Sequence, residues 1–257
     1  MTRLMFVDSV LRILREAAPE LDWTMQLRLR AGLKRVAGRG NPARKYGRIL
    51  SSTVLLEAGL RYVAPAVDAV NTPLAQMVRR RDGTMIAMLA VLPMRRRAFC
   101  ELALGHSVHV SPTEIMVSLS PEMTKTGVPW EVMVPKQIEP LLRQYIEDVR
   151  PALLNRGGKN HDILWVGKKG EILGQNYIGS RIGGLTLQLT GKRVPPHFFR
   201  DAAATTLARM SGGSARLIPP VLGHSGFRTA ERHYIQASTV DAGRDYASLI
   251  KRLKGDR

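Results

Sequence analysis

Apolar residues recur at helical spacing from the start of the chain. Leu4, Val7, Leu11 and Leu14 share one face of residues 3–16, with basic residues outside, and Pro19 ends the run. A second helical pattern covers about residues 24–36 and a third residues 51–62. Residues 63–73 (VAPAVDAVNTP) hold two prolines and little periodicity, which marks a linker between a helical N-terminal domain, 1–62, and a larger domain, 74–257. From Leu74 the pattern becomes helix, small sheet, then helices. Met85 to Leu92 (MIAMLAVL) is apolar throughout and is expected to be buried. Ile115, Val117 and Leu119 alternate as in a strand, and residues 130–134 (WEVMV) are its expected partner. Residues 137–149 form an amphipathic helix, 156–160 a loop, 163–166 a short strand and 176–189 another helix. Pro195 and Pro196 open a further helix. Gly212 and Gly213 break that pattern, Leu222-Gly223-His224 opens the next helix, and residues 240–253 close the chain as a helix. The expected class is α+β, mostly α-helical, with a small antiparallel sheet.

Charge narrows the function. The 257 residues carry a net charge of +18, a field that draws polyanions. The longest apolar run has eight residues, far short of the roughly 18–20 that span a bilayer, so an anionic membrane is the weaker partner and nucleic acid the favoured one. Asp8 interrupts any N-terminal signal segment. A single cysteine, Cys100, excludes an internal disulfide and fits a reducing cytoplasm. The basic residues are not spread evenly. Residues 24–50 hold eight cations and no acid, broken by Gly38, Gly40 and Pro42. Such a run fits a phosphate-tracking surface, with Arg28, Arg30, Lys34, Arg35, Arg44, Lys45 and Arg48 as its DNA-binding candidates.

Candidate chemistry concentrates in residues 195–234. His197 and Arg200 stand one helical turn apart, His224 follows the glycine break, and Tyr234 comes ten residues later. A phenol with an ordinary pKa of about 10 suits few hydrolytic reactions. Among cationic donors it suits attack on a phosphodiester, because the same donors stabilise the phenolate and the crowded anionic phosphorane. Cys100, His106 and His109 raise the question of a metal, yet the extended chain after Gly105 sends the two histidines to opposite faces and no further ligand completes a tetrahedral set. No metal and no cofactor are expected.

The ordered set HxxR (His197 to Arg200), LGH (Leu222 to His224) and the tyrosine of TAERHY (Thr229 to Tyr234) resembles the catalytic C-terminus of the tyrosine recombinases, the phage-integrase family. The resemblance implies an integrase-type catalytic domain preceded by a helical core-binding domain, here short. It places the first catalytic arginine at Arg95, with Arg97 as competitor, and the catalytic lysine at Lys125 in Lys125-Thr126-Gly127 on the hairpin. Family members commonly carry an acid three residues after that arginine, where this chain has Ala98, and place the tyrosine nine residues after the LGH histidine. The implied roles are a nucleophile for Tyr234, a phosphate clamp for Arg95 and Arg200, general acid for Lys125, proton acceptor for His197 and hydrogen-bond donor for His224. The implied activity is site-specific cutting and rejoining of double-stranded DNA through a 3′-phosphotyrosyl intermediate, by a homotetramer on paired sites in a bacterial nucleoid. A type IB topoisomerase-like relaxing enzyme and a catalytically silent DNA-binding member are the alternatives.

Overall fold

The computed structural model describes residues 3–37, 47, 49–64, 72–125, 127–210 and 217–222. The chain forms two compact units, Met1–Tyr46 and Gly47–Arg257. The first contains α1 (Arg3–Ala17) and α2 (Thr24–Ala37). Asp22 fixes the first turn of α2: its Oδ1 accepts from the Thr24 backbone N at 2.9 Å and from Thr24 Oγ1 at 2.6 Å. Arg30 on α2 ion-pairs with Asp8 on α1, and Leu11 is the buried apolar residue of the pair.

The second unit begins with α3 (Ser52–Val63), capped by Ser51, whose hydroxyl accepts from Val54 N. The sequence pattern groups this helix with residues 1–62, whereas the compact unit that contains it starts at Gly47. Its partner is α4 (Pro73–Val91), and the reason is a close backbone approach. A Cβ on Gly59 would stand 2.7 Å from Ala87 N and 2.9 Å from Gly83 O. A Cβ on Gly83 would stand 2.9 Å from Gly59 O. Two facing glycines let these helices touch backbone to backbone, a relation between positions 24 residues apart that no local periodicity carries.

The MIAMLAVL run is the C-terminal half of α4, and every residue from Arg81 to Ala90 is buried, as expected for a helix apolar all round. The same stretch also buries Arg81 and Asp82. Asp82 Oδ1 accepts from Arg81 Nε at 2.9 Å and Nη2 at 2.7 Å, and its Oδ2 accepts from Arg181 Nε at 2.7 Å. Arg81 Nη1 donates to Val166 O at 2.9 Å. Buried charge persists here because each polar end has a partner.

The expected small sheet forms, antiparallel in the order β1 (Val108–Val110), β2 (Ile115–Leu119), β3 (Trp130–Met133). The register pairs Val117 with Val108 and with Val132. Ile115, Val117 and Leu119 face the core, as their alternation predicts. The short strand expected over 163–166 is reduced to two isolated bridges, Ile163 with Ala103 and Val166 with Ile172, and side chains anchor the segment instead: Tyr145 Oη donates to Leu164 O at 2.8 Å, and Trp165 Nε1 donates to Phe99 O at 2.9 Å. The helix expected over 137–149 runs further, as α6 (Glu139–Gln144), a π-helical turn (Tyr145–Val149) and α7 (Arg150–Gly157). The wide turn directly before Pro151 accommodates a residue whose missing N–H would otherwise end the ladder. Two further helices, α8 (Gln175–Thr190) and α9 (Pro196–Met210), match the sequence reading closely. The mostly helical α+β class holds.

Candidate active site

Arg95 occupies the N-cap of a short helix, α5 (Arg96–Cys100), in extended conformation (φ −69°, ψ 145°). Arg200 lies one turn into α9, where Pro196 supplies a preset first-turn φ. The Arg200 guanidinium donates from Nη1 to Pro93 O at 2.8 Å and from Nη2 to Leu222 O at 2.6 Å. These bonds fix the plane of a five-donor fork, tying α9 to the α4–α5 turn and to the end of α10 (Ile218–Leu222). Arg95 and Arg200 line one hollow, together with Ala98, Thr124, Trp130 and Leu222.

The electrostatics of this hollow are unusual for two arginines. Burial pushes the Arg200 guanidinium down to about 10, the positive charge of Arg95 acts in the same direction, and Asp201 opposes both. Arg200 remains cationic at neutral pH. Two half-buried cations brought together in a partly apolar hollow favour an anion between them, and a planar fork matches phosphate or carboxylate.

The remaining expected residues fall in different places. Lys125 is exposed in the β2–β3 turn, directly after Thr124 of the hollow wall. His197 is exposed in the first turn of α9, its ring centroid 4.6 Å from that of Phe198 in an edge-to-face arrangement. Arg97 points outward and pairs with Glu101, Nε to Oε1 at 3.0 Å, so of the two competing arginines it is Arg95 that reaches the hollow. His224 and Tyr234 lie outside the described residues, as do Arg44, Lys45 and Arg48. Arg28, Lys34 and Arg35 are exposed on α2, while Arg30 is engaged with Asp8. Cys100 is buried, which pushes its thiol up to about 12, and among the described residues no three histidine, cysteine, aspartate or glutamate side chains gather as a metal site.

Two features escape the sequence reading. Trp130 is legible only as a strand residue, yet it walls the hollow beside Arg95. The Arg81–Asp82–Arg181 cluster spans 99 residues from Asp82 to Arg181. Its only local signal is a charged pair standing immediately before an apolar run.

Among the described residues no helix is long and apolar enough to cross a membrane. Residues 66–240 match the model of the phage integrase family. No curated protein matches the chain. Solved structures of similar fold include the XerH site-specific recombinase bound to palindromic difH substrate in a post-cleavage complex, at 19% identity and TM-score 0.58 over 82% of this chain. XerH in a pre-cleavage complex with difH matches at 18% and 0.55 over 88%, and XerA recombinase at 18% and 0.53 over 93%. This chain spans 56% and 66% of the two XerH chains and 82% of the XerA chain.

Proposed function

The chain belongs to the phage integrase family, and from that premise we propose that it is a site-specific recombinase that cuts and rejoins double-stranded DNA through a phosphotyrosyl intermediate. One observation carries the reading: two arginines from separate elements converge on one hollow, walled by the turn that bears Lys125. That arrangement supports phosphoryl transfer by a tyrosine, which needs a cationic clamp on the phosphate and an acid near the leaving oxygen.

In this scheme Arg95 and Arg200 hold the non-bridging oxygens of the scissile phosphate. Tyr234, losing its proton to His197, forms a new phosphorus–oxygen bond. The bond to the 5′-oxygen breaks, and Lys125 gives that oxygen a proton. His224 donates a hydrogen bond to the phosphate as negative charge builds. The 3′-phosphotyrosyl ester conserves the energy of the broken bond, so a different 5′-hydroxyl can reverse the step with no nucleotide cofactor. The two XerH neighbours are complexes with DNA substrates, which supports duplex DNA as the partner. By the same family resemblance we place residues 1–62 as the DNA-clasping domain, residues 74–257 as the catalytic domain, and a homotetramer on paired sites as the working assembly.

Denaturing the protein during incubation with genomic DNA traps covalent complexes and maps their sites. Tyr246 is the other tyrosine that follows His224 in the sequence; wild type and Tyr246→Phe are expected to give an adduct on the tryptic peptide of residues 233–244, whereas Tyr234→Phe binds DNA and traps nothing. Relaxed circles without recombinant joints would favour a relaxing enzyme. Absence of any adduct would favour a silent DNA-binding member, and an adduct on Tyr246 would overturn the assignment of the nucleophile.

A further inference from the structure

Helix α8 carries two glycines one turn apart, Gly179 and Gly183, and both are buried. An arginine head lies over each of them. A Cβ on Gly179 would meet Arg96 Nη1 at 3.3 Å. A Cβ on Gly183 would meet Arg193 Nε at 3.3 Å and Cζ at 3.4 Å. The two arginines come from different places, Arg96 from α5 and Arg193 from the loop between α8 and α9. Both residues are exposed overall although their heads cover the helix. Among the described residues neither has a carboxylate within ion-pair distance. By contrast, Arg97, Arg143 and Arg181 each have one, and all three are drawn from the same helices or their neighbours.

Rotamer entropy usually keeps an exposed arginine mobile. Here each head packs on one side over α8, above glycines one helical turn apart, and is exposed on the other. Arg96 is also the immediate neighbour of Arg95 in the chain. We propose that Arg96 and Arg193, seated on Gly179 and Gly183, form a preordered clamp for two backbone phosphates of duplex DNA. The inference rests on the DNA-cutting reading above and adds a phosphate-binding pair that lies outside the reacting groups.

The test measures binding of the full chain to a mixed-sequence DNA duplex across a salt series. Three variants are compared with wild type: Arg96→Gln with Arg193→Gln, the charge-matched control Arg156→Gln with Lys159→Gln, and Gly183→Ala. The clamp variant should lower the steepness of log affinity against log salt by about 2, since each lost phosphate contact removes roughly 0.9. Its affinity should fall about tenfold at physiological salt. The control should leave the slope within about 0.5 of wild type. Gly183→Ala keeps every charge but lifts Arg193 from its seat, and it should weaken binding several-fold with no loss of melting temperature. At saturating DNA the clamp variant should form covalent adduct within about twofold of the wild-type rate, the mark of binding rather than chemistry. A wild type that binds DNA while the clamp variant and the control share one slope would overturn the clamp alone. A wild type that binds no DNA would overturn the clamp and the DNA-cutting reading together.

Discussion

Arg95 and Arg200 are like charges held side by side, an arrangement that serves an anion and opposes folding. A guanidinium whose folded-state pKa lies below its ordinary value of 12.5 disfavours the fold wherever it is charged. That cost is complete below about pH 10 and is relieved as pH rises through that value. Arg95→Gln removes one of its sources, so it should stabilise the protein by on the order of 1 kcal/mol, evenly between about pH 6 and 9. The same variant should lose about a hundredfold or more of its cleavage rate, as removal of a fixed transition-state donor does. Thermal melting and single-turnover cleavage on the mapped site separate the two effects, and a variant that loses both stability and rate would show that Arg95 is a structural residue. Lys125 admits a sharper chemical test. As general acid it is needed only while the leaving oxygen is basic, so Lys125→Ala should cleave ordinary DNA very slowly and recover with a 5′-bridging sulfur, which departs as thiolate unaided. Arg95→Gln should gain little from the same substrate. Equal behaviour of the two variants would make Lys125 a phosphate contact.

At the scale of elements, what the sequence discloses is whatever lies within one helix or strand. The alternation of Ile115, Val117 and Leu119 and the apolar run from Met85 to Leu92 are local periodicities, and both elements form where those patterns stand. The motif residues Arg95 and Arg200 are legible for another reason, because their spacing matches a known ordered set. Contacts between distant positions have no such signature. The union of α3 with α4 depends on Gly59 facing Gly83, and in the sequence each is simply a glycine inside a helical pattern, a mild helix weakener. The extension of α6 through Pro151 is hidden similarly, since proline reads as a stop until a π-helical turn is seen to accommodate it. The glycine pair makes a quantitative prediction. Gly59→Ala gains about 1 kcal/mol of helix propensity, but its Cβ meets the backbone of Ala87 and Gly83, which no rotamer change relieves. Net destabilisation of about 2–3 kcal/mol is expected in urea denaturation. Gly184→Ala on α8, exposed and with open space around its Cβ position, should instead stabilise by about 0.5–1 kcal/mol. If both substitutions stabilise, the α3–α4 contact is looser than its geometry indicates.

For the whole molecule the dominant quantity is a net charge of +18 over 257 residues. A polyanion partner turns that charge into counterion release, so affinity for duplex DNA should fall steeply and linearly in log salt. The cations do not contribute alike, and the structure sorts those of the N-terminal basic run. Arg30 already has a carboxylate partner in Asp8, whereas Arg28, Lys34 and Arg35 are exposed on α2. Reversing Arg28, Lys34 and Arg35 to glutamate should therefore flatten the salt dependence by about 3 if each meets one phosphate. Reversing Arg44, Lys45 and Arg48, which the sequence places in the same acid-free run, should flatten it by a similar amount. Arg30→Gln should leave the slope nearly unchanged. It should instead cost up to about 1 kcal/mol through the lost ion pair, the ordinary worth of a partly exposed bridge, visible as earlier loss of helical signal on heating. A titration series with these three variants distinguishes a phosphate-tracking surface from a merely solvated one. If the triple reversals bind DNA with the slope of the wild type, the run is a solvated face, and the charge that draws DNA lies beyond residue 50.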